Sequence, residues 1–371
     1  MSNPLTGTTA PLFIPRTPDP QAIVVGQNYF FIQIHNAQAA YFGPPWKQTE
    51  GLAVVSQVNL SHEVFGDTLR ALRRTRKVER NRAEQLGLSP NLIDLVPASM
   101  NRVTVSIDFI LDRKNQLAAL SKIINTDGLL SAISLAPGAA LVAQTLSKVS
   151  QQLIESFIPA EDSLPLLQFS SDFNLAGEGL REGYYVILGS RDDGNPLPSP
   201  YVKLSVRDRV LLANDQAVTQ LSYIILNVQC VPVRTRDGSQ GAAWDLKLRE
   251  AEAQAQNLLD NPLATAGERR QGWEACVRLL TEARTLILAD PAYLRDEANA
   301  IIKSVYHRCN RLVSQDIRVR GEGAKAAWTP DEGAARAWLQ IPPEEDLTAS
   351  LGRYADQVAA ARRVLKSAGL R

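Results

Sequence analysis

The residue vocabulary of the chain changes at residue 241, and that change limits the folds open to it. Before this point runs rich in Val, Ile, Phe and Tyr recur; after it Ala, Leu, Glu, Arg and Gln dominate and the β-branched runs vanish. β-branched and aromatic runs suit a pleated, half-buried surface. Unbranched residues and alanine suit helices. The sequence therefore predicts an α+β protein. An N-terminal antiparallel β-sandwich with helical insertions is followed by an α-helical bundle. With 371 residues the chain is too long for one ordinary core.

Seven strand-like runs are expected at 21–38, 51–61, 102–112, 164–176, 183–190, 201–213 and 219–235. The third alternates, with Val103, Val105, Ile107, Phe109 and Leu111 on one face. Turn residues such as "RDDGNPLPSP" at 191–200 separate the later runs. Regular strand–helix alternation is absent, which argues against a doubly wound sheet. Helical insertions are expected at about 66–86, 115–125 and 137–158. The last carries an apolar stripe of Val142, Leu146, Val149, Leu153 and Phe157.

The expected domains are a proline-rich arm (1–20), the sandwich (21–240), the bundle (241–315), and a linker with C-terminal amphipathic helices (316–371). In the bundle, Trp244, Leu248, Ala251, Ala255 and Leu258 fall on one helical stripe. Leu294, Ala298, Ile301, Val305, Cys309 and Leu312 fall on another. Asp290-Pro291 reads as an acidic cap before a first-turn proline. Thr329-Pro330 and Pro342-Pro343 read as further helix starts, and Trp328 and Trp338 are expected to seal the short helix between them onto the bundle. Leu347, Leu351, Tyr354, Val358 and Leu365 keep a heptad spacing along the last helix and form a candidate oligomer seam.

Charge narrows the partners. Basic and acidic residues number 40 and 39, and each sign contributes 21 up to residue 240. A nucleic-acid-binding domain normally carries a basic excess, so nucleic acid is disfavoured as a partner. The exception is "DTLRALRRTRKVERNRAEQ" (67–85), with seven basic and three acidic residues. As a helix it would gather Arg70, Arg73, Arg74, Arg76, Lys77 and Arg80 on one arc, a candidate anion- or partner-binding surface. The plain alternative is a solvated face. Residues 128–147 carry no charge, but their alanine, serine and threonine content makes them only weakly apolar.

Catalytic signatures are missing. His35, His62 and His307 fit no nucleophile–base pattern. There is no P-loop, no dinucleotide fingerprint and no metalloprotease motif. Cys230, Cys276 and Cys309 lack zinc spacing and read as small buried apolar residues. No cofactor and no metal is expected. Asp192, Asp193 and Asn195 read as a turn. Three sparse cysteines, no signal peptide and no apolar run of spanning length point to a cytoplasmic protein.

The expectation is a non-catalytic interaction or assembly protein, a homo-oligomer or a subunit of a larger bacterial complex. One alternative is a membrane-acting effector that binds anionic lipid through a basic helix at 67–82. Another is a hydrolase built on Asp108, Asp112, Asp172 and Glu178, which stand on or near expected strands.

Overall fold

A computed structural model describes residues 11–40, 51–60, 68–74, 83–85, 91–112, 163–175, 179–189, 203–234, 241–261, 263–320 and 328–370. The strands are β1 (Leu12–Pro15), β2 (Tyr29–Ala40), β3 (Gly51–Asn59), β4 (Thr68–Arg74), β5 (Ala83–Gln85), β6 (Asn91–Pro97), β7 (Arg102–Asp112), β8 (Ser163–Asn174), β9 (Gly183–Leu188), β10 (Leu204–Arg207), β11 (Val210–Ala213), β12 (Gln216–Ala217) and β13 (Tyr223–Val231). The helices are α1 (Ala243–Asp260), α2 (Ala266–Leu288), α3 (Arg295–Arg320), α4 (Glu332–Trp338) and α5 (Leu347–Ser367). The chain is mixed α and β, and it divides into two compact units, Met1–Cys230 and Val231–Arg371.

In the first unit, β1-β9-β13-β2-β5 form one sheet, and β6 also pairs with β2. A second sheet has the order β4-β3-β7-β8 and a third the order β10-β11-β12. One apolar cluster draws on the first two sheets together: Phe30, Ile32, Tyr185, Ile187, Ile224 and Leu226 from one, Val54, Val58, Val105, Ile107, Phe109 and Phe169 from the other. The expected face of β7 is therefore the core face through Phe109. Its alternate residues, Arg102, Thr104, Ser106 and Asp108, are half-buried or exposed. A period of two produces this division, because successive strand side chains leave opposite faces.

The sheets correct several expectations. The basic segment is no helix where the structure describes it: 68–74 is β4, antiparallel to β3, with Arg70 opposite Ser56, Arg73 opposite Ala53 and Arg74 opposite Leu52. A strand repeats every two residues, so the single arc predicted at 100° per residue does not form there. Pairing with β3 overrides a composition that reads as helical. Arg76, Lys77 and Arg80 lie outside the described residues, as do the helices expected at 115–125 and 137–158 and the turn at 191–195. Part of the expected arm is tied down, because Leu12–Pro15 pair with β9.

The run 201–213, expected as one strand, contains the β10–β11 hairpin. Asp208 and Arg209 turn it with φ of 50° and 68°. A two-residue hairpin loop with both φ positive matches the twist of the flanking strands. Asn214-Asp215 repeat the device before β12. Neither pair contains the glycine that usually announces such a turn.

The second unit follows the predicted stripes. Trp244, Leu248, Ala251, Ala255 and Leu258 are buried on α1, and Ala298, Ile301, Val305 and Cys309 on α3, in one cluster with α2. Thr265 opens α2 with a capping box: it accepts from Glu268 N, and the Glu268 carboxylate accepts from Thr265 N. Gly272 allows close approach at the α1–α2 crossing, since a Cβ there would stand 2.5 Å from Leu258 Cδ2. The third helix starts at Arg295, later than predicted. Asp290 instead accepts from Ala292 N and from Trp244 Nε1, which holds a turn ahead of the helix. The last helix likewise starts beyond Pro342-Pro343, where Asp346 accepts from the Thr348 and Ala349 amides. Among the described residues, no helix is long and apolar enough to cross a membrane.

Candidate functional site

On β2, Phe30, Ile32 and Ile34 belong to the shared core, and so do Ala37 and Ala39. The inward parity therefore changes between Ile34 and Ala37, where His35 and Asn36 together occupy a step that one residue fills in a regular strand. On the neighbouring edge, the ladder to β6 ends at Gln33 and the ladder to β5 starts at Gln38. An irregularity of this kind re-aims side chains and recurs beside functional sites.

Both residues meet groups over the far face of the sheet. The His35 ring packs against Tyr184 at 5.0 Å between centroids. Tyr184 packs with the second apolar cluster, around Val186, Leu188, Leu211, Tyr223 and Ile225. Asn36 Nδ2 donates to Arg209 O at 2.8 Å, in the strained turn of the β10–β11 hairpin. Two residues on, Gln38 Nε2 donates to Val218 O and Leu221 O. The backbone of Ala40 exchanges hydrogen bonds with the Ser222 hydroxyl. A row of buried amides on β2 thus fastens the small sheet and its loop.

Charge surrounds the pair. Arg16 stands 5.7 Å from the Tyr184 ring centre, and Arg16 and Arg209 are exposed. Burial, then Arg209, then Arg16 lower the His35 pKa from its ordinary value to about 4. Each of these disfavours the imidazolium, so His35 is neutral at neutral pH. Glu182 lies near enough for Arg16 to attract its carboxylate, while burial raises its pKa. Asn227, opposite Tyr184 on β13, is 4 % exposed, and Asn36 is 1 % exposed. The Oδ1 atoms of both have no hydrogen-bond partner among the described residues.

A pH effect follows. Between the usual imidazole value and about 4, the unfolded chain binds a proton that folded His35 refuses. Stability should therefore decline as pH falls through this window and level off below it. Because His35 is only half-buried, solvent screening reduces the loss to about 1–2 kcal/mol. Urea midpoints at pH ~7.5 and ~4.5 for the native chain and His35→Gln measure it. An equal acid loss in both proteins would refute the assignment.

The other candidates are dispersed. Asp172, opposite Thr104, accepts from Thr104 and from Arg102, and these bonds lower its pKa. Asp108 lies opposite Gln168, four residues further along the ladder, or about 13 Å at ~3.3 Å per residue. Asp112, opposite Ser163, is four residues beyond that. A glycosidase-type pair needs its carboxyls about 5–10 Å apart. Glu178 and His62 lie outside the described residues, and His307 is half-buried on α3. All three cysteines are buried thiols. Burial and Glu182 push Cys230 up to about 12, and the adjacent Cys309 thiol together with burial pushes Cys276 up. A protonated thiol is a poor nucleophile and metal ligand. No group of three metal-ligating side chains occurs among the described residues.

In the second unit Trp338 departs from expectation. Trp328 is buried in the helical core, but Trp338 is 57 % exposed. Hydrogen bonds and two buried side chains hold the backbone of the corner that carries it. Asp331 accepts from Ala334 N at the start of α4, and Leu339 and Ile341 are buried on either side of Gln340. Gln340 holds φ at 54°, and its Oε1 accepts from Arg284 at 2.7 Å. Arg336 Nη1 donates to the carbonyls of Pro342, Pro343 and Glu345. On α5, Leu347 and Leu365 are buried and Leu351, Tyr354 and Val358 half-buried. Leu347 and Tyr354 pack with the chain's own helical cluster.

The chain matches no protein-family model and no curated protein.

Proposed function

We propose that the chain is a non-catalytic interaction or assembly protein, with an N-terminal antiparallel sandwich and a C-terminal α-helical bundle that joins copies of itself or subunits of a larger complex. Trp338 carries the reading. The Arg336 hydrogen bonds hold the backbone of the corner, so this exposed indole is presented without a loop having to order first. Aromatic residues, Trp above all, dominate binding energy at protein interfaces. The N-terminal half of the heptad row on α5 is engaged within the chain, which leaves the Trp338 corner as the better contact. Three free, buried cysteines suit a reducing cytoplasm. The anionic-lipid alternative loses its helical platform, because Arg70, Arg73 and Arg74 stand on β4.

Sedimentation velocity over about a hundredfold range of concentration tests the proposal. The expected result is a concentration-dependent oligomer that Trp338→Ser weakens about 30-fold or more, the loss of one hot spot. Folding should change by less than about 0.5 kcal/mol, since the side chain is outside the core. A strict monomer at every concentration, or identical assembly by Trp338→Ser, overturns it.

A further inference from the structure

We propose that β1 is an exchangeable strand: in an assembly, Leu12–Pro15 of one copy pair with β9 of a second copy, in place of that copy's own β1. This exchange concerns the first unit and is independent of the Trp338 contact. The seat on β9 is specific. Leu12, Phe13, Ile14 and Pro15 lie opposite Val186, Tyr185, Tyr184 and Gly183. Phe13 packs on Tyr185 at 5.1 Å between ring centres, and a Cβ on Gly183 would stand 2.6 Å from the Phe13 ring. Ile14 packs with the outer apolar cluster around Val186 and Leu188. A second copy's β1 makes every one of these contacts and needs no new surface. Exchange of an identical element is a low-cost route to assembly for this reason. The hold on the strand is also light. β1 stands at the edge of its sheet, has four residues, and leaves Leu12 and Phe13 39 % and 38 % exposed.

The segment that follows supplies the drive. Ala22 pairs with Arg181, so the chain returns to the same edge two residues beyond the Pro15–Gly183 pair. Two residues of strand are about 7 Å long. From Pro15 to Ala22 the chain takes seven steps, and it bends through 16–19 to take up the excess length. Pro18 and Pro20 lie in this loop, and their rings hold φ near the polyproline value. A proline-rich segment prefers an extended form of about 3.1 Å per residue, or about 22 Å over seven steps. Pairing within one chain therefore confines a stiff segment to about a third of its preferred span. Little holds the loop in that form: residues 17–19 are exposed, and the Thr17 hydroxyl donates only to the nearby Asp19 carbonyl. The far end is anchored, since Glu182 N donates to Gln21 O and Ile23 N to Leu180 O. Straightening from that anchor carries β1 away from its own β9 and toward the same edge of a neighbour, and the extended proline segment is retained there without strain.

A disulfide trap in the full chain tests this. Leu12→Cys and Val186→Cys place two thiols directly opposite each other across the β1–β9 pair, close enough to bridge. The three native cysteines are buried thiols, which an added oxidant spares. The chain also carries Trp338→Ser, which keeps the helical contact out of the result. It is unfolded in urea, refolded over about a hundredfold range of concentration and oxidised with oxidised glutathione. Non-reducing gels then separate links within a chain from links between chains, and mass spectrometry of the digest confirms that positions 12 and 186 are joined. The expected result is a 12–186 link between chains whose share rises with concentration. Pro18→Gly with Pro20→Gly relaxes the loop and makes the extended form less favourable, so it should lower the interchain share about fivefold or more. A 12–186 link confined to single chains at every concentration, or an interchain share unchanged by the two glycines, overturns the proposal. Should the Val186→Cys chain fail to fold, Phe13→Cys with Tyr185→Cys sets the same trap one pair along the ladder.

Discussion

Phe109→Ala is expected to lower the unfolding free energy by about 3–5 kcal/mol, a large part of the ~5–15 kcal/mol a folded domain has. Phe109 is fully buried on β7 and lies opposite Val54 on β3 and Leu167 on β8. Its cluster also includes Phe30 and Ile32 of the other sheet. The truncation removes apolar area and leaves a cavity, and long pairing on both sides of β7 prevents the backbone from closing it. Ser106→Ala provides the control. Ser106 sits on the opposite face, with its hydroxyl 2.9 Å from that of Ser170 at the surface. It should change stability by less than about 0.5 kcal/mol. Urea unfolding followed by circular dichroism measures both. A Phe109→Ala loss near that of the control would mean that the two sheets do not share a sealed core.

The second large effect is in the helical unit. Trp244→Ala should destabilise it by about 3–5 kcal/mol. Trp244 is 2 % exposed, packs edge-on against Tyr293 at 5.1 Å, and donates from Nε1 to Asp290. Its ring therefore fills the core while its N–H orders the turn before α3. Trp244→Phe separates these roles. Phenylalanine keeps most of the apolar surface but loses the donor, for an expected loss of about 1–1.5 kcal/mol. Guanidinium titration of the three proteins gives the comparison. A Phe variant as unstable as the Ala variant would assign the whole effect to the hydrogen bond and refute the packing argument.

Residues that take part in long, uniform periods were legible in the sequence. The alternation from Val103 to Phe109 and the stripe from Trp244 to Leu258 appear in the structure as written. Periodicity is a property of one segment, and burial of the marked face makes it energetically decisive. Segments governed by their neighbours were not legible. The composition of 68–74 reads as helical, yet it pairs with β3, because tertiary hydrogen bonding outweighs propensities of a few tenths of a kcal/mol per residue. Asp208-Arg209 and Asn214-Asp215 turn without glycine, so two hairpins passed unmarked. Trp328 precedes α4 by four residues and Trp338 is its last residue, and only packing decides which of the two is exposed.

The corner at His35 was less visible still. In sequence, His35 and Asn36 are two polar residues inside an apolar run, and Asn227 is one polar residue inside another. Nothing local connects residues 16, 35, 184, 209 and 227. Sheet order brings β9, β13 and β2 side by side, and a parity change on β2 turns His35 and Asn36 toward the same region. By itself the sequence determined the division into a strand-rich and a helix-rich part, the core faces of the regular elements and the balance of charge. All three are encoded in residues near one another along the chain. Strand order, the conversion of the basic segment to β4, the exposure of Trp338 and the two buried acceptors were decided by tertiary structure. Each depends on pairings between residues far apart in sequence, whose free energy exists only once both partners are in place.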